Sequence, residues 1–314
     1  MVFALWSSAE AQQAKKIPLI GYLGNTVTGF DPAITPLRER LRELGYVEGQ
    51  NIAFEERYWE GSVERLSKLS AELVHLKCDV IFTTGNEAAR AAATATQKIP
   101  IVIANTSDAV LSGFAASLAR PGGNVTGLTS VGAEIRGKQL EVLKDVFPKV
   151  LRVGFLWSPS SPTAANNLKA VEAAAQSLQI TIESLEARRP DDIEAAFQMA
   201  MKKRAEAILM DGGGFFAFHQ KRVIDAATKS RLPTMHGNDR FVEAGGLMTY
   251  ANDRNEQYRR AADYVDKILK GARPGELPME RPRKWNFVIN LKAAKQIGLT
   301  IPPNVLARAD RVIK

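Results

Sequence analysis

Short apolar runs, each followed by a helix-length stretch with apolar positions three and four apart, repeat along this chain. A run of four to six apolar residues is the pattern of a strand buried on both faces of a parallel sheet, and the 3–4 spacing is that of an amphipathic helix. Pro18–Leu23 predicts the first strand, ending in Gly24-Asn25-Thr26. A helix follows with Leu37, Leu41 and Leu44 on one face, Pro36 in its first turn and Gly45 as its stop. Asn51–Glu56 predicts a second strand, and Ser62 caps a helix striped by Leu66, Leu69 and Leu73. Val80–Thr83 is a third strand; Thr84-Gly85-Asn86 and an alanine-rich helix, Glu87–Gln97, follow it. Ile101–Ala104 is a fourth, handing over through Asn105, Thr106, Ser107 and Asp108 to an Ala/Leu-rich segment expected to be helical. Pro121, Gly122, Gly123 and Asn124 stop that segment before Val125–Ser130, which reads as a first crossing between two lobes.

The pattern then starts again. A helix from Ala133 to Phe147 leads to a strand, Val153–Trp157, that ends in Ser158-Pro159-Ser160-Ser161-Pro162. Further strands are expected at Thr181–Leu185, Ala207–Met210, Pro233–Met235 and Leu247–Tyr250, with helices at Thr163–Leu178, Asp191–Arg204, from Phe215–Phe216 to Ser230, and Tyr258–Leu269. Leu247–Tyr250 reads as a second crossing, with a third near Arg281–Trp285. Strands alternating with helices of ten or more residues predict an α/β fold: two Rossmann-like lobes, with parallel sheets, joined by three crossing segments. The expected division is a leader remnant or disordered segment at 1–16, lobe I at 17–126 with 251–280, and lobe II at 127–250 with 281–314.

The chain has 314 residues, enough for two cores of ordinary size, and 45% hydrophobic and 24% charged residues are globular values. Its net charge of +8 is spread over short clusters such as Lys15–Lys16, Lys202–Arg204 and Arg281–Lys284, without interleaved aromatics, so no nucleic-acid partner is expected. The single cysteine, Cys78, excludes an intrachain disulfide and reads as a small buried hydrophobe. At the N-terminus Ala9-Glu10-Ala11 has the form of a signal-peptidase site, but the apolar stretch Met1–Trp6 before it is short and lacks a basic flank. The fold is expected to begin near Ile17.

In an open α/β sheet, ligands bind beyond the carboxyl ends of the strands, and five predicted strands here end in small polar residues. The lobe I candidates are Asn25, Thr26, Thr84, Gly85, Asn86, Thr106, Ser107 and Asp108. Helix N-terminal amides in these turns favour a carboxylate, and Asp108 is read either as partner of a ligand ammonium or as a helix cap. The lobe II candidates are Trp157, Ser158, Ser160, Asp211, Phe215, Phe216 and His236. Their aromatic members read either as core or as an apolar wall for an aromatic or branched amino acid, or an aromatic acid. His75 and His219 fall in helices, and no His/Cys/Asp set has metal-ligand spacing, so neither metal nor cofactor is expected.

Gly132-Ala-Glu-Ile-Arg-Gly137-Lys138 matches the phosphate-loop pattern G-x-x-x-x-G-K. Gln139 replaces the Ser/Thr that would bind Mg²⁺, Glu134 would put a carboxylate in an anion site, and residues 133–136 are good helix formers. A nucleotide hydrolase is therefore a minor alternative. No G-x-S-x-G elbow is present for nucleophilic catalysis.

Five segments carry a resemblance: Gly21-Tyr-Leu-Gly, Leu41-Arg-Glu-Leu-Gly-Tyr-Val-Glu-Gly-Gln-Asn51, Ser117-Leu-Ala-Arg-Pro-Gly-Gly-Asn-Val-Thr-Gly127, Phe241-Val-Glu-Ala-Gly-Gly-Leu-Met-Thr-Tyr250 and Val288-Ile-Asn-Leu-Lys-Ala-Ala-Lys-Gln-Ile-Gly-Leu299. In this order they resemble the ABC-transporter substrate-binding family that includes tryptophan-binding lipoproteins, over nearly all of Ile17–Val312. The resemblance implies a periplasmic-binding-protein-like type I fold that closes on a ligand between its lobes. It also implies a non-enzymatic periplasmic receptor, expected to be a monomer, that delivers a small molecule to an inner-membrane ABC permease. A ligand-sensing regulator with the same two-lobe body is the leading alternative from another class.

Overall fold

The computed structural model describes residues 16–25, 34–106, 108–129, 132–161 and 163–314. Its first half is β1 (Leu19–Gly24), α1 (Thr35–Glu43), β2 (Ala53–Tyr58), α2 (Val63–His75), β3 (Val80–Thr83), α3 (Asn86–Ala95), β4 (Ile101–Ile103) and β5 (Val125–Gly127). These five strands form one wholly parallel sheet in the order β2-β1-β3-β4-β5. All four residues of Val80–Thr83 are buried, as a strand covered on both faces requires. One face is covered by α2 and α3, whose Leu66, Leu69, Leu73 and Ala88, Ala89, Ala92 pack on Leu23, Ile81 and Ile103. Cys78 lies in that layer, buried, and desolvation pushes its thiol up to about 11.

The chain continues as α4 (Gly132–Val146), β6 (Arg152–Trp157), α5 (Ala164–Ser177), β7 (Thr181–Glu186), α6 (Asp192–Lys202), β8 (Ala207–Met210), α7 (Gly214–Phe218), α8 (Gln220–Ser230), β9 (Thr234–His236), α9 (Asp239–Glu243) and β10 (Met248–Asn252). Next come α10 (Arg254–Leu269), β11 (Trp285–Asn290), α11 (Leu291–Gln296), α12 (Pro303–Leu306) and β12 (Arg311–Ile313). The second sheet has seven strands in the order β12-β11-β10-β9-β8-β6-β7. Only the β10–β11 pair is antiparallel, a departure from the parallel sheet expected. It arises because β11 enters directly from a connecting segment rather than through a crossover helix. Helices cover both faces of this sheet too, α4, α5, α11 and α12 on one and α6 and α8 on the other.

Three passages link the elements of the two sheets. Val125–Gly127 is the edge strand of the first sheet rather than a crossing, and the chain leaves that sheet just after it. Met248–Asn252 likewise belongs wholly to the second sheet. After Asn252 the chain returns as α10, whose Tyr258, Ala261, Ala262 and Val265 pack on Ile20, Phe82 and Val102 of the first sheet. It leaves again through Glu280–Lys284 into β11. The Ala/Leu-rich segment after Asp108 is turns, not helix: Ser112, Gly113 and Phe114 donate to Asp108, Val110 and Ala109 carbonyls. Gly113 and a following Pro121 in so short a span leave no room for a cooperative helix.

Candidate ligand-binding cleft

The carboxyl ends of β1, β3 and β4 lie side by side, so their terminal turns form one surface. The amide of Gly85 donates to the carbonyl of Asn105 at 2.6 Å, tying the turn after β3 to the turn after β4. Gly85 holds φ +80°, a conformation costly for any residue with a Cβ, and it starts α3 so that Asn86 and Glu87 point into the cleft region. The Thr106 hydroxyl donates to Asn86 Oδ1, and both residues are buried.

Opposite them stand Arg136 and Gln139 of α4, three apart and hence on one helix face. Arg136 Nη1 donates to Gln139 Oε1 at 2.6 Å, and Gln139 Nε2 donates to the Tyr250 carbonyl at 2.7 Å. Arg136 Nε lies 3.3 Å from Asp211 Oδ1, which also accepts from Asn167 Nδ2 at 2.9 Å and from the Gly212 amide at 3.0 Å. Gly212, Gly213, Gly237, Asn238 and Asn252, at the ends of β8, β9 and β10, complete the wall.

Between the two surfaces lies a cavity of about 90 Å³, several times the ~10–15 Å³ that one water needs. Asn86, Glu87, Asn105 and Thr106 line it from one side, and Arg136, Asn238, Asn252 and Trp285 from the other. A second cavity of about 160 Å³ adjoins it, sharing Gly85, Asn105, Gly213 and Asn238 and adding Asn25, Thr84, Trp59, Phe241 and Tyr258.

Buried polar atoms in this region are left open. Glu87 Oε1, Asn238 Oδ1 and Asn252 Nδ2 have no hydrogen-bond partner among the described residues, and all three residues line the first cavity, as does Arg136, whose Nε has only its ion pair with Asp211. Glu87 is 7% exposed. Desolvation raises its pKa above the ordinary 4.5; backbone amides of Glu87 and Gly214 oppose the rise, and the Asp211 charge adds to it. Burial likewise raises Asp211 and lowers Arg136, each partly offset by the other's charge.

Of the residues expected from sequence, Asn25, Thr84, Gly85, Asn86 and Thr106 line one or both cavities. Thr26 and Ser107 lie outside the described residues. Asp108 lines neither cavity; its Oδ1 accepts from the Val110 and Leu111 amides at 3.1 and 2.9 Å, so it caps the turn. Asp211 stands behind the wall, orienting Arg136. Trp157 donates through Nε1 to Ser184 at 2.9 Å and packs on the core, and Ser158 and Ser160 hold each other at 3.1 Å; none of the three lines either of these two cavities. Phe215 and Phe216 are core residues, their rings 5.1 Å apart edge to face, because α7 turns them inward onto α8. His236 is fully buried, bonded through Nε2 to Thr234 Oγ1 at 2.7 Å and stacked on Phe241.

Glu87, Arg136, Asn238, Asn252 and Trp285 were not among the residues expected. Glu87 looked like one more residue of an alanine-rich helix, although it directly follows a strand-end turn. Arg136 sat inside the phosphate-loop look-alike; that stretch is helical from Gly132 onward.

A family model described as ABC transporter substrate binding protein matches residues 28–313. A curated tyrosine-binding protein of Clostridioides difficile is 22% identical over 270 residues, spanning 86% of this chain and 77% of the relative. Among solved structures, an ABC domain from Streptococcus pneumoniae in complex with L-Trp superposes with a TM-score of 0.86 at 26% identity, covering 95% of this chain and all of that one. A conserved domain protein from Vibrio cholerae also gives 0.86, at 28% identity and the same coverage.

Proposed function

This chain belongs to the ABC transporter substrate-binding protein family, and we propose that it binds a zwitterionic amino acid in the cleft and delivers it to a membrane permease from the periplasmic side. One observation carries the choice of ligand. Two buried acceptors, Glu87 Oε1 and Asn238 Oδ1, and one buried donor, Asn252 Nδ2, line a single cavity without hydrogen-bond partners among the described residues, beside the Arg136 guanidinium. Buried polar atoms are normally satisfied, so such a set marks where a ligand's own polar atoms fit. An α-ammonium supplies the donors that Glu87 lacks and neutralises a carboxylate that burial otherwise disfavours. An α-carboxylate supplies the acceptors for Arg136 and Asn252, with the Arg136 guanidinium held in place by Asp211 and Gln139.

The ligand's side chain then extends into the adjoining cavity, against Trp59, Phe241 and Tyr258. Aromatic faces there favour an apolar or ring-bearing amino acid. The related structure with bound L-Trp and the tyrosine-binding relative support the same class. Binding closes the two sheets' layers about the three passages between them, and the receptor acts as a monomer without catalysing a reaction.

Calorimetric titration of the purified chain with L-tryptophan, L-tyrosine, L-phenylalanine and L-leucine, beside tryptamine and indole-3-propionate, tests this. At least one amino acid should bind, and the analogue lacking either the carboxylate or the ammonium should bind at least tenfold more weakly, about 1.4 kcal/mol. Equal binding of an amino acid and both of its truncated analogues would overturn the zwitterion reading.

A further inference from the structure

A third cavity, of about 220 Å³, lies where the passages between the two sheets run together, and it shares no residue with the cleft. Leu128, just after β5, pairs with Glu280, and two backbone bonds fasten them: Glu280 amide to Gly127 carbonyl at 3.0 Å and Thr129 amide to Glu280 carbonyl at 2.9 Å. The first turn of α10 closes the remaining side with Glu256 and Gln257.

Two features point to an occupant. Gln257 is 2% exposed, lines the cavity, and has no hydrogen-bond partner among the described residues for either amide Nε2 or Oε1. Leaving both ends of a buried amide unpaired is costly, and one group that both donates and accepts would satisfy them together. Arg281 and Arg283 also line the cavity, exposed and without a salt bridge among the described residues. Arg260, by contrast, is committed: its Nε and Nη2 hold Glu280 at 2.8 and 2.6 Å, and its Nη1 holds Asp263 at 2.9 Å. Glu280 is thereby neutralised, and with Glu256 the remaining lining charge is one carboxylate against two free guanidiniums.

We propose that this cavity is a second small-molecule site, taking a compact hydroxydicarboxylate anion. The carboxylates pair with Arg281 and Arg283, whose planar forks suit them. The hydroxyl, a donor and acceptor at once, pairs with the Gln257 amide. Because the site is assembled from the passages themselves, its occupant touches the segments that must flex when the cleft opens.

Titration of the full chain with L-malate, succinate and inorganic phosphate tests the assignment, each followed by calorimetry. L-malate should bind saturably with a Kd below about 1 mM, succinate at least fivefold more weakly, and phosphate more weakly still. Gln257→Leu, which keeps the volume while removing the amide, should erase the malate–succinate difference. The exposed pair Arg281→Ala/Arg283→Ala should weaken both dicarboxylates at least tenfold, while Glu87→Gln in the cleft leaves them unchanged. Thermal melts of each variant verify that it is folded. Failure of malate to saturate, tighter binding of phosphate than malate, or malate binding that neither hinge variant alters would overturn the proposal.

Discussion

Asn25 Nδ2 donates to the carbonyl of Gly214 at 3.1 Å, joining residues 189 positions apart across the cleft. Asn25 Oδ1 in turn accepts from the Gly61 amide at 2.9 Å, so one side chain fastens the β1 turn to the β2–α2 loop and to the start of α7. A Cβ placed on Gly214 falls 2.6 Å from the Trp59 indole, which leaves no space for a larger residue there. The lobes therefore meet in a closed arrangement that depends on the smallness of position 214.

Gly214→Ala should hold the cleft ajar. Overpacking of this kind costs about 1–3 kcal/mol where the structure cannot shift, and here it can shift by opening. The expected result is amino-acid affinity weakened roughly tenfold, with a radius of gyration larger than wild type by small-angle scattering under saturating ligand. A normal affinity and an unchanged radius would contradict the closed contact.

Glu87 should make ligand binding pH-dependent. Its folded-state pKa is raised above 4.5, so folding without ligand favours the protonated form. That stabilisation is complete below the ordinary value and is lost as pH rises through the raised one. A ligand ammonium selects the ionised form, so affinity should climb over the same rise in pH. In Glu87→Gln the climb should vanish and affinity at neutral pH should fall at least tenfold, about 1.4 kcal/mol. Asp108→Asn should bind as wild type, since Asn still accepts from the Val110 and Leu111 amides. Calorimetry across the range from about pH 5 to pH 8 reads both.

Phe216→Ala should weaken the fold and spare selectivity. Phe216 is 1% exposed and packed among Leu156, Ile208 and Val223, so truncation should cost about 3–5 kcal/mol by urea denaturation. The ratio of affinities for L-tryptophan and L-leucine should stay at the wild-type value. A selective loss of the aromatic ligand would place the ring at the ligand instead.

His236 should make the fold acid-sensitive. Burial lowers its pKa from 6.5 to about 3, so the folded state holds it neutral. The stability this represents is full above the unfolded value and is lost as pH falls from about 6.5 toward 3. Between pH 7 and pH 5 the loss should be about 2 kcal/mol. In His236→Gln the difference in denaturation midpoints between those pH values should shrink accordingly.

Periodicity along the chain was sufficient to place most strands and helices, because side chains two apart on a strand or three to four apart on a helix share an environment wherever the element packs. Val80–Thr83, the Leu66–Leu69–Leu73 stripe and the polar turn Thr84-Gly85-Asn86 were legible for that reason, as was the alternation that makes two α/β layers. The polar strand ends Asn25, Thr84, Asn86 and Thr106 followed from the same logic, since parallel strands all present their carboxyl ends to one edge.

What only the tertiary structure decided is which polar groups are buried together. Glu87 and Arg136 belong to helices that pack on different sheets, and nothing local to either reveals a shared cavity. Phe216 and His236 sit beside strand ends just as ligand-binding residues do, but α7 and Phe241 turn them into the core. The passages between the sheets follow Gly127 and Asn252 rather than coincide with the strands before them, because ladder pairing with a neighbour, not apolar pattern, determines where a strand stops belonging to its sheet. Desolvation is a property of the assembled surroundings, so the raised pKa of Glu87 and the unpaired amide of Gln257 come into being only when distant segments close around them.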